Sequence, residues 1–125
     1  MDLTQQAPGG LNHIQSVSEE EILIAGESHR QALVVTADRM IADWPVNAPE
    51  EIDRNHLELI LELKPEVVLI GTGKRQRFLS PELLMTFYRE GIGVEMMTTQ
   101  AACRTFNVLI ADNRRVAAAL LPPGV

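Results

Sequence analysis

The sequence contains few of the residues that would assign it to a specialised class of protein. Its single cysteine, Cys103, cannot form an intramolecular disulfide, which excludes a disulfide-stabilised scaffold and favours a reducing compartment. No run of residues approaches the roughly 20 apolar positions of a membrane-spanning helix. The first residues also lack a basic segment followed by an apolar one. We therefore expect neither membrane insertion nor secretion, and the predicted location is cytoplasmic.

Positive charge is scarce as well. Eleven Lys and Arg stand against seventeen Asp and Glu, which gives the chain a net charge of −6. A field of this sign repels nucleic acid and anionic lipid, so we expect no nucleic-acid partner, and any anion site must be local. The acidic balance is either ordinary for solubility or a means of attracting a basic partner.

Residue patterns for catalysis or metal binding are missing too. The three histidines, His13, His29 and His56, lack Cys or carboxylates at ligand spacing, so no metal site is predicted. There is no G-x-S-x-G sequence, and Ser80 is better explained as a helix cap. Cys103 has apolar helical neighbours, which favours a small buried residue over a nucleophile. The sequence therefore predicts no catalytic residue and no cofactor.

What the sequence does contain is enough apolar material for one core. With 125 residues and 46% hydrophobic content, the chain falls within the commonest domain size. Residues 1–12, which include Pro8, Gly9 and Gly10, are predicted to form a flexible N-terminal tail. Residues 13–125 are predicted to form a single domain.

The first half of this domain has the short apolar runs of β-strands. Runs at 22–25, 32–36 and 40–42 are separated by turn-forming residues, and this spacing predicts a small antiparallel meander. Trp44, the only tryptophan, stands at the junction of the two halves. It is interpreted as a lid on the core, with an anchor for a partner protein as the alternative.

The second half alternates helix and strand three times, which is typical of a parallel sheet with crossover helices. Asn47, Pro49 and Glu50 resemble a capping box, and Pro65 ends the helix that they begin. The uniformly apolar run 67–70 predicts a strand buried on both faces, in the middle of the sheet.

Two further helix and strand pairs complete the second half. Ser80 caps a helix that stops at Gly91, and a second buried strand covers 92–97. Thr98 or Thr99 caps the third helix, and a final strand at 116–121 closes the sheet. The side chains expected to face the core are Leu83, Leu84, Phe87 and Tyr88 in the second helix and Ala102, Cys103, Phe106, Leu109 and Ile110 in the third.

These elements predict an α/β fold class: a compact three-layer domain in which a mostly parallel central sheet has flanking helices and an N-terminal antiparallel β layer.

The loop at 71–77 combines two glycines with three cationic residues, which makes it the strongest candidate for a binding site in the sequence. It is not a Walker A loop, because Val68 replaces the first glycine and Arg75 follows Lys74 where Ser or Thr is needed. It is not a dinucleotide fingerprint either, because Gln76 occupies the position of the third glycine. The loop therefore lacks a recognised nucleotide motif.

The position of the loop in the predicted sheet is better evidence for a binding site than its sequence motif. In parallel sheets, ligands bind beyond the carboxyl ends of the strands, where this loop and the start of the third helix both lie. Backbone N–H groups, cationic side chains and a helix N-terminus would together favour a small anionic ligand there. The candidate ligand-binding or partner-binding residues are Gly71, Thr72, Gly73, Lys74, Arg75, Thr99, Arg104 and Asn107. In the alternative interpretation, the loop cations are solvated and Arg104 and Asn107 pair with loop carbonyls or nearby acids.

Several segments of the second half resemble domain-of-unknown-function family 498. The resemblance is carried, in order, by the segments 65–74 (PEVVLIGTGK), 79–82 (LSPE), 91–95 (GIGVE), 99–109 (TQAACRTFNVL) and 114–120 (RRVAAAL). The family includes mitochondrial complex I assembly factor 3 and an adipogenesis-associated domain protein. The resemblance implies a compact α/β domain with an extra β layer, no established enzymatic activity and no catalytic residues. Because the start of the chain is neither basic nor amphipathic, we expect a prokaryotic member of the family.

Two functional hypotheses follow. The first is a non-catalytic protein-interaction or assembly-factor-like module that holds an unknown protein partner through the cleft edge, Trp44 and the polar face of the third helix. The second is a binder of, or an enzyme acting on, a small anionic metabolite in the crevice of Gly71, Lys74, Thr99 and Arg104. The sequence does not indicate an oligomeric state.

Overall fold

The structure is a computed structural model that describes residues 11–125. Within that range the chain forms two β-sheets, three α-helices and a short 3-10 helix. In chain order the elements are β1 (Ile14–Val17), β2 (Ile22–Ile24), β3 (Glu27–His29), β4 (Leu33–Thr36), β5 (Met40–Ile41), the 3-10 helix (Pro49–Glu51), α1 (Arg54–Leu61), β6 (Val67–Gly71), α2 (Pro81–Tyr88), β7 (Gly93–Met97), α3 (Thr99–Ala111) and β8 (Val116–Leu120).

The larger sheet has five strands in the order β5-β4-β8-β6-β7. β6 runs parallel to β7 and β8, whereas β4 runs antiparallel to β8 and β5. The predicted α/β class is confirmed, but the predicted mostly parallel sheet is wrong, because the sheet is mixed. Its arrangement in three layers stays a prediction.

The order of strands also corrects two predicted positions. β8 was expected to close the sheet, but it lies in the middle, between β4 and β6, and all five of its residues are buried. β6 is interior as expected, though one strand away from the centre. β7 forms an edge of the sheet and is only partly buried, so the prediction of a second buried strand at 92–97 is wrong in its burial.

The two faces of the larger sheet belong to two different cores. Val68 and Ile70 of β6 join a cluster with residues of α1 and α2, while Val67 and Leu69 join a cluster with residues of α3 and the smaller sheet. This division follows from the alternation of side chains along a strand. The middle strand fits between the two cores because small residues, Ala117–Ala119, occupy its centre.

The smaller sheet consists of β1, β2 and β3 in antiparallel order. An N-terminal antiparallel layer was predicted, but only one of the three predicted runs belongs to it. The runs at 32–36 and 40–42 became β4 and β5 of the larger sheet, where the apolar Leu33–Thr36 strand is fully buried. β1 and β3 were missed because their residues are mostly polar and exposed.

The structure describes only the last two residues of the predicted tail, which was expected to cover residues 1–12. Residues 1–10 of the predicted tail lie outside the described residues. Asn12, which the prediction placed in the tail, is buried, and its side-chain amide donates to the carbonyls of Thr36 at 2.9 Å and Arg39 at 3.0 Å. Asn12 therefore belongs to the packed part of the chain.

The first helix begins later than predicted. Asn47 does not cap it, since its backbone N–H donates to the Glu51 carboxylate at 2.9 Å and only a 3-10 turn follows. α1 is capped instead by Asp53, whose carboxylate accepts from the backbone N–H of His56 while His56 Nδ1 accepts from the backbone N–H of Asp53. The capping box exists, but it lies six residues further along the chain.

Later caps are where the sequence placed them. The Ser80 hydroxyl accepts from the N–H of Leu83, and the Thr98 hydroxyl accepts from the N–H of Ala101. Gly91 has the left-handed conformation that ends the turn after α2, with φ of 73°. One side chain in this region was misassigned: Tyr88 is exposed to solvent and does not face the sheet.

Trp44 forms part of the core, as its interpretation as a lid predicted. Its side chain is 2% exposed, and its ring meets that of His56 edge-on with centroids 5.9 Å apart. A buried indole of this kind is not available to anchor a partner protein. Among the described residues, no helix combines the length and the apolar character that crossing a bilayer requires.

Candidate functional site

The loop after β6 and the start of α3 lie side by side, as the position argument predicted. The hydroxyl of Thr99 accepts the backbone N–H of Gly73 at 2.9 Å, and the backbone N–H of Thr99 donates to the Gly73 carbonyl at 2.9 Å. A Cβ on Gly71 would lie 2.9 Å from the Thr99 Cα. A glycine at position 71 therefore allows the helix to approach the end of the strand this closely.

Thr72 closes the loop from inside. Its side chain is buried, and its hydroxyl accepts the backbone N–H of Arg77 at 3.1 Å while lying within hydrogen-bond distance of the carbonyls of Arg75 and Met97. The loop is thus a compact turn whose polar groups satisfy one another.

The backbone donors predicted to hold an anion are engaged within the chain. The N–H of Lys74 donates to the carbonyl of Val125 at 2.7 Å, and that carbonyl occupies the space where a Cβ on Gly73 would stand. The N–H of Gly73 donates to the Thr99 hydroxyl, and the N–H of Thr99 donates to the Gly73 carbonyl. The N–H groups of Gly73, Lys74 and Thr99 are therefore not free to bind an anion.

Three exposed cations remain at this edge of the sheet. Within residues 11–125, the side chains of Lys74, Arg75 and Arg104 form no ion pair. Lys74 and Arg75 are exposed, as the alternative interpretation describes, whereas Arg104, which that interpretation paired with a carbonyl or an acid, is exposed as well. Binding of a ligand by these residues stays a prediction.

Asn107 is engaged elsewhere. Its amide oxygen accepts the backbone N–H of Ile14 at 2.9 Å, and its amide nitrogen donates to the Ile14 carbonyl at 2.9 Å. The amide group thereby occupies the place of a neighbouring strand beside β1. Asn107 attaches the smaller sheet to α3, and the sequence held no signal for this contact because 93 residues separate the two partners.

Cys103 behaves as the small buried residue that its neighbours indicated. Burial raises the pKa of its thiol from 9.0 to about 12, against a smaller lowering effect of the Arg104 guanidinium. A thiol with this pKa is protonated at neutral pH, so it does not supply a thiolate nucleophile. Within residues 11–125, no three His, Cys, Asp or Glu side chains group together in a way that could hold a metal ion.

A second surface, absent from the sequence-based predictions, lies on the outer side of α2. Phe78 is 73% exposed and Met85 39%, and each lines a depression together with the partly buried Leu83. We call these three residues the α2 face. Leu83 lines two surface depressions at once, one of about 510 Å³ shared with Met85 and one of about 640 Å³ shared with Phe78.

A sequence signal for the α2 face did exist. Five of the eight residues of α2 are large and apolar, which is more than one buried stripe requires. Only Phe87 is fully buried, so the remaining apolar side chains must be exposed or partly exposed. Counting the apolar residues around the whole helix, rather than along one stripe, would have indicated a second face.

The comparison with known families agrees with this architecture. The family described as "Protein of unknown function (DUF498/DUF598)" matches residues 14–121. The chain belongs to this family. The resemblance predicted from the second half of the sequence is thus confirmed, and it extends through the smaller sheet as well.

Relatives of this DUF498/DUF598 member differ in what their names describe. The chain is 34% identical over 112 residues to NADH dehydrogenase (ubiquinone) 1 alpha subcomplex assembly factor 3 of Xenopus tropicalis, covering 88% of this chain and 61% of that protein. It is 32% identical over 101 residues to the 13 kDa major membrane protein of Francisella tularensis, covering 80% of this chain and 81% of that protein. The chain therefore spans less than two thirds of the frog relative.

Solved structures confirm the fold of the DUF498/DUF598 member. A crystal structure of a Bordetella parapertussis protein superposes with a TM-score of 0.85 at 40% identity, covering 90% of this chain and 96% of that chain. A similarity of this extent supports the mixed α/β architecture with its two sheets.

Proposed function

We propose that this chain is a non-catalytic module that binds a partner protein, in the manner of an assembly factor, through the α2 face. The observation that carries the proposal is the apolar cluster of Phe78 and Met85 beside Leu83, because an exposed apolar patch marks an interaction surface. Aromatic residues that project beside a groove are the usual anchors of protein interfaces.

The groove beside the anchor has the composition of an interface. Apolar side chains of Leu83 and Met85 form its floor, and Arg54, Glu82 and Arg89 surround the depression between α1 and α2. On the other side, Arg77 pairs with Glu50 at 3.3 Å. An apolar centre with a polar rim is the typical anatomy of a protein-binding patch.

The names of relatives support the same class of function. The frog relative is named as an assembly factor of NADH dehydrogenase, and assembly factors work by binding other proteins. Because the chain spans 61% of that protein, transfer of an assembly role to this chain is part of the proposal. A cytoplasmic location is part of the proposal, because the single cysteine cannot form an internal disulfide.

A second candidate is binding of a small anionic metabolite at the carboxyl end of β6. The side chains of Lys74, Arg75 and Arg104, which form no ion pair within residues 11–125, favour it. The internal pairing of the loop N–H groups weighs against it, since backbone donors were the main reason to place an anion there. We therefore rank it below the protein-binding module.

Site-specific photo-crosslinking tests the α2 face directly. A benzophenone side chain at position 78 should give one discrete adduct in the native host, because the bound partner lies within reach of that position. The matched control is position 108, where Val108 is 66% exposed on α3, away from the proposed interface. The adduct at position 78 should disappear when Met85→Ser is added, because Met85 belongs to the same apolar patch.

Two results would contradict the proposal. Equal crosslinking from positions 78 and 108 would mean that contact is non-specific. A partner that is lost in a Lys74→Glu, Arg104→Glu double variant but retained in Phe78→Ser would place the interface at the carboxyl end of the sheet instead. Thermal unfolding of each variant would show that it is folded.

A further inference from the structure

The opposite end of the larger sheet holds a cavity that no predicted site includes. It measures about 950 Å³, more than either depression beside α2. Three segments surround it: the turn after α1, the turn after α3, and the hairpin turn between β4 and β5. Because β6 and β8 begin beside it, we call it the amino-end cavity.

Cationic side chains are concentrated around this cavity. Arg39, Lys64, Arg114 and Arg115 all line it, which is four of the eleven Lys and Arg in a chain of net charge −6. They come from three separate segments, so proximity along the chain does not account for their meeting. The tertiary structure alone creates this local positive charge.

One of the four cations is already engaged. The Arg114 guanidinium lies 3.3 Å from the Glu66 carboxylate, which also accepts the backbone N–H of Arg115 at 2.8 Å. These contacts, the Arg115 hydrogen bond first, lower the pKa of Glu66. Arg114 therefore orders the wall of the cavity.

The other three cations form no ion pair. Within the part of the chain that the structure describes, the side chains of Arg39, Lys64 and Arg115 are bonded to no carboxylate. Of the two acids that line the cavity, Asp38 lies 3.2 Å from the Thr36 hydroxyl within its own turn. With Arg114 paired to Glu66, the three remaining cations outnumber the two lining acids, Asp38 and Glu62, so the cavity keeps an excess of positive charge.

Helix ends account for only part of this arrangement. Lys64 and Arg115 follow the C-termini of α1 and α3, where cations complement the helix dipole. Arg39 follows no helix, since it belongs to the hairpin turn after β4. The helix dipole therefore does not account for the position of Arg39 beside the other two on one concave surface.

We propose that the amino-end cavity binds a small organic anion that carries a phosphate or carboxylate group on an apolar body. Guanidinium groups bind the oxygens of both anions through paired hydrogen bonds, and Lys64 adds a compact charge. Leu63, Pro65 and Val116 line the same cavity and supply an apolar wall for the body of the ligand. Donors and apolar wall together are the usual features of a metabolite site.

An NMR titration with phenyl phosphate tests this site. Amide signals of residues 36–39, 62–64 and 110–116 should shift in a saturable way, and benzoate should shift the same set. Phenol, which has the ring without the anion, should not. An Arg39→Gln, Lys64→Gln, Arg115→Gln triple variant should raise the dissociation constant about tenfold or more, because it removes three charge-assisted donors.

A matched variant removes the same charge from the other end of β6. The Lys74→Gln, Arg75→Gln, Arg104→Gln protein should keep the shifts at the amino-end cavity and the dissociation constant of the wild type. The proposal is overturned if the shifts never saturate, if the first triple variant binds as tightly as the wild type, or if only the second variant loses binding. The last result would place the anion at the carboxyl end of β6.

Discussion

Gly73 shows how a single residue decides what the proposed loop can do. Its φ of 95° lies in the left-handed region, and the carbonyl of Val125 stands where a side chain would begin. The sequence indicated a flexible glycine that could approach a guest. In the structure, the loop backbone at Gly73 packs against Val125 of the same chain.

Replacing this glycine separates two physical effects. Gly73→Ala should lower the free energy of unfolding by about 2–4 kcal/mol, because it adds a clash with Val125 to the cost of left-handed backbone. Gly26→Ala is the matched control, since Gly26 has a φ of 79° but no atom within 4 Å of the added Cβ. It should cost only about 1 kcal/mol. Equal losses in urea unfolding would mean that Val125 does not pack against the loop.

Cys103 makes the stability of the protein depend on pH in the alkaline range. The pKa of its thiol is about 12 in the folded chain, against 9.0 for an unperturbed thiol. Above pH 9 the unfolded chain therefore loses a proton that the folded chain keeps, and stability falls as pH rises from about 9 to about 12. Between pH 8 and 10.5, the wild type should lose about 2 kcal/mol more than Cys103→Ala does. Identical losses in urea unfolding would show that the thiol is accessible to solvent.

At the scale of the element, adjacent threonines at the start of α3 have different tasks. The Thr98 hydroxyl caps the helix, whereas the buried Thr99 hydroxyl accepts from the Gly73 N–H and donates to the Leu121 carbonyl at 2.8 Å. Thr99 thereby joins α3 to the ends of β6 and β8. The sequence offered the two residues as alternative caps and could not show that the second one is a link.

This difference predicts unequal costs for the same substitution. Thr98→Val should lower the free energy of unfolding by about 1 kcal/mol, the usual value of an N-cap. Thr99→Val should cost about 2–4 kcal/mol, since it leaves a buried N–H and a buried C=O without partners. Urea unfolding of both variants, with Thr98→Ser as a control that keeps the cap, measures the two costs. A smaller loss for Thr99→Val would contradict the link.

In the molecule as a whole, α3 joins the smaller sheet to the larger one by packing and by hydrogen bonds. Ile14, Ile22 and Ile24 of the smaller sheet pack in one cluster with Phe106 of α3, and Asn107 adds the two hydrogen bonds to β1. β8 and β6, in contrast, are buried within the larger sheet. The smaller sheet should therefore open more readily than the larger one.

Hydrogen exchange can measure this coupling. Asn107→Ala should speed amide exchange in β1 and β2, because Ile14 loses both of its bonds to α3, while the amides of β6 and β8 keep their protection relative to global unfolding. Gln100→Ala, an exposed change on the same helix, should leave both sheets unaffected. Uniform acceleration across both sheets would mean that the molecule opens as a single unit.

Much of the local structure of the second half could be predicted from the sequence alone. The Ser80 and Thr98 caps, the stop at Gly91 and the buried strand at 67–70 depend on hydrogen bonds and burial within a few residues, so they were predicted correctly. The closeness of Gly73 and Thr99 was also predictable, because the chain leaves β6 and β7 at the same edge.

The contacts between distant segments could not be predicted from the sequence and are seen first in the folded chain. The antiparallel pairing of β4 with the central β8, the attachment of Asn107 to Ile14 and the gathering of Arg39, Lys64 and Arg115 all join residues far apart in the chain. The pattern of apolar residues indicates which side chains are buried and in which type of element. It does not indicate which distant residues cover those side chains. The proposed partner face and the proposed anion cavity therefore emerge only when the chain is folded.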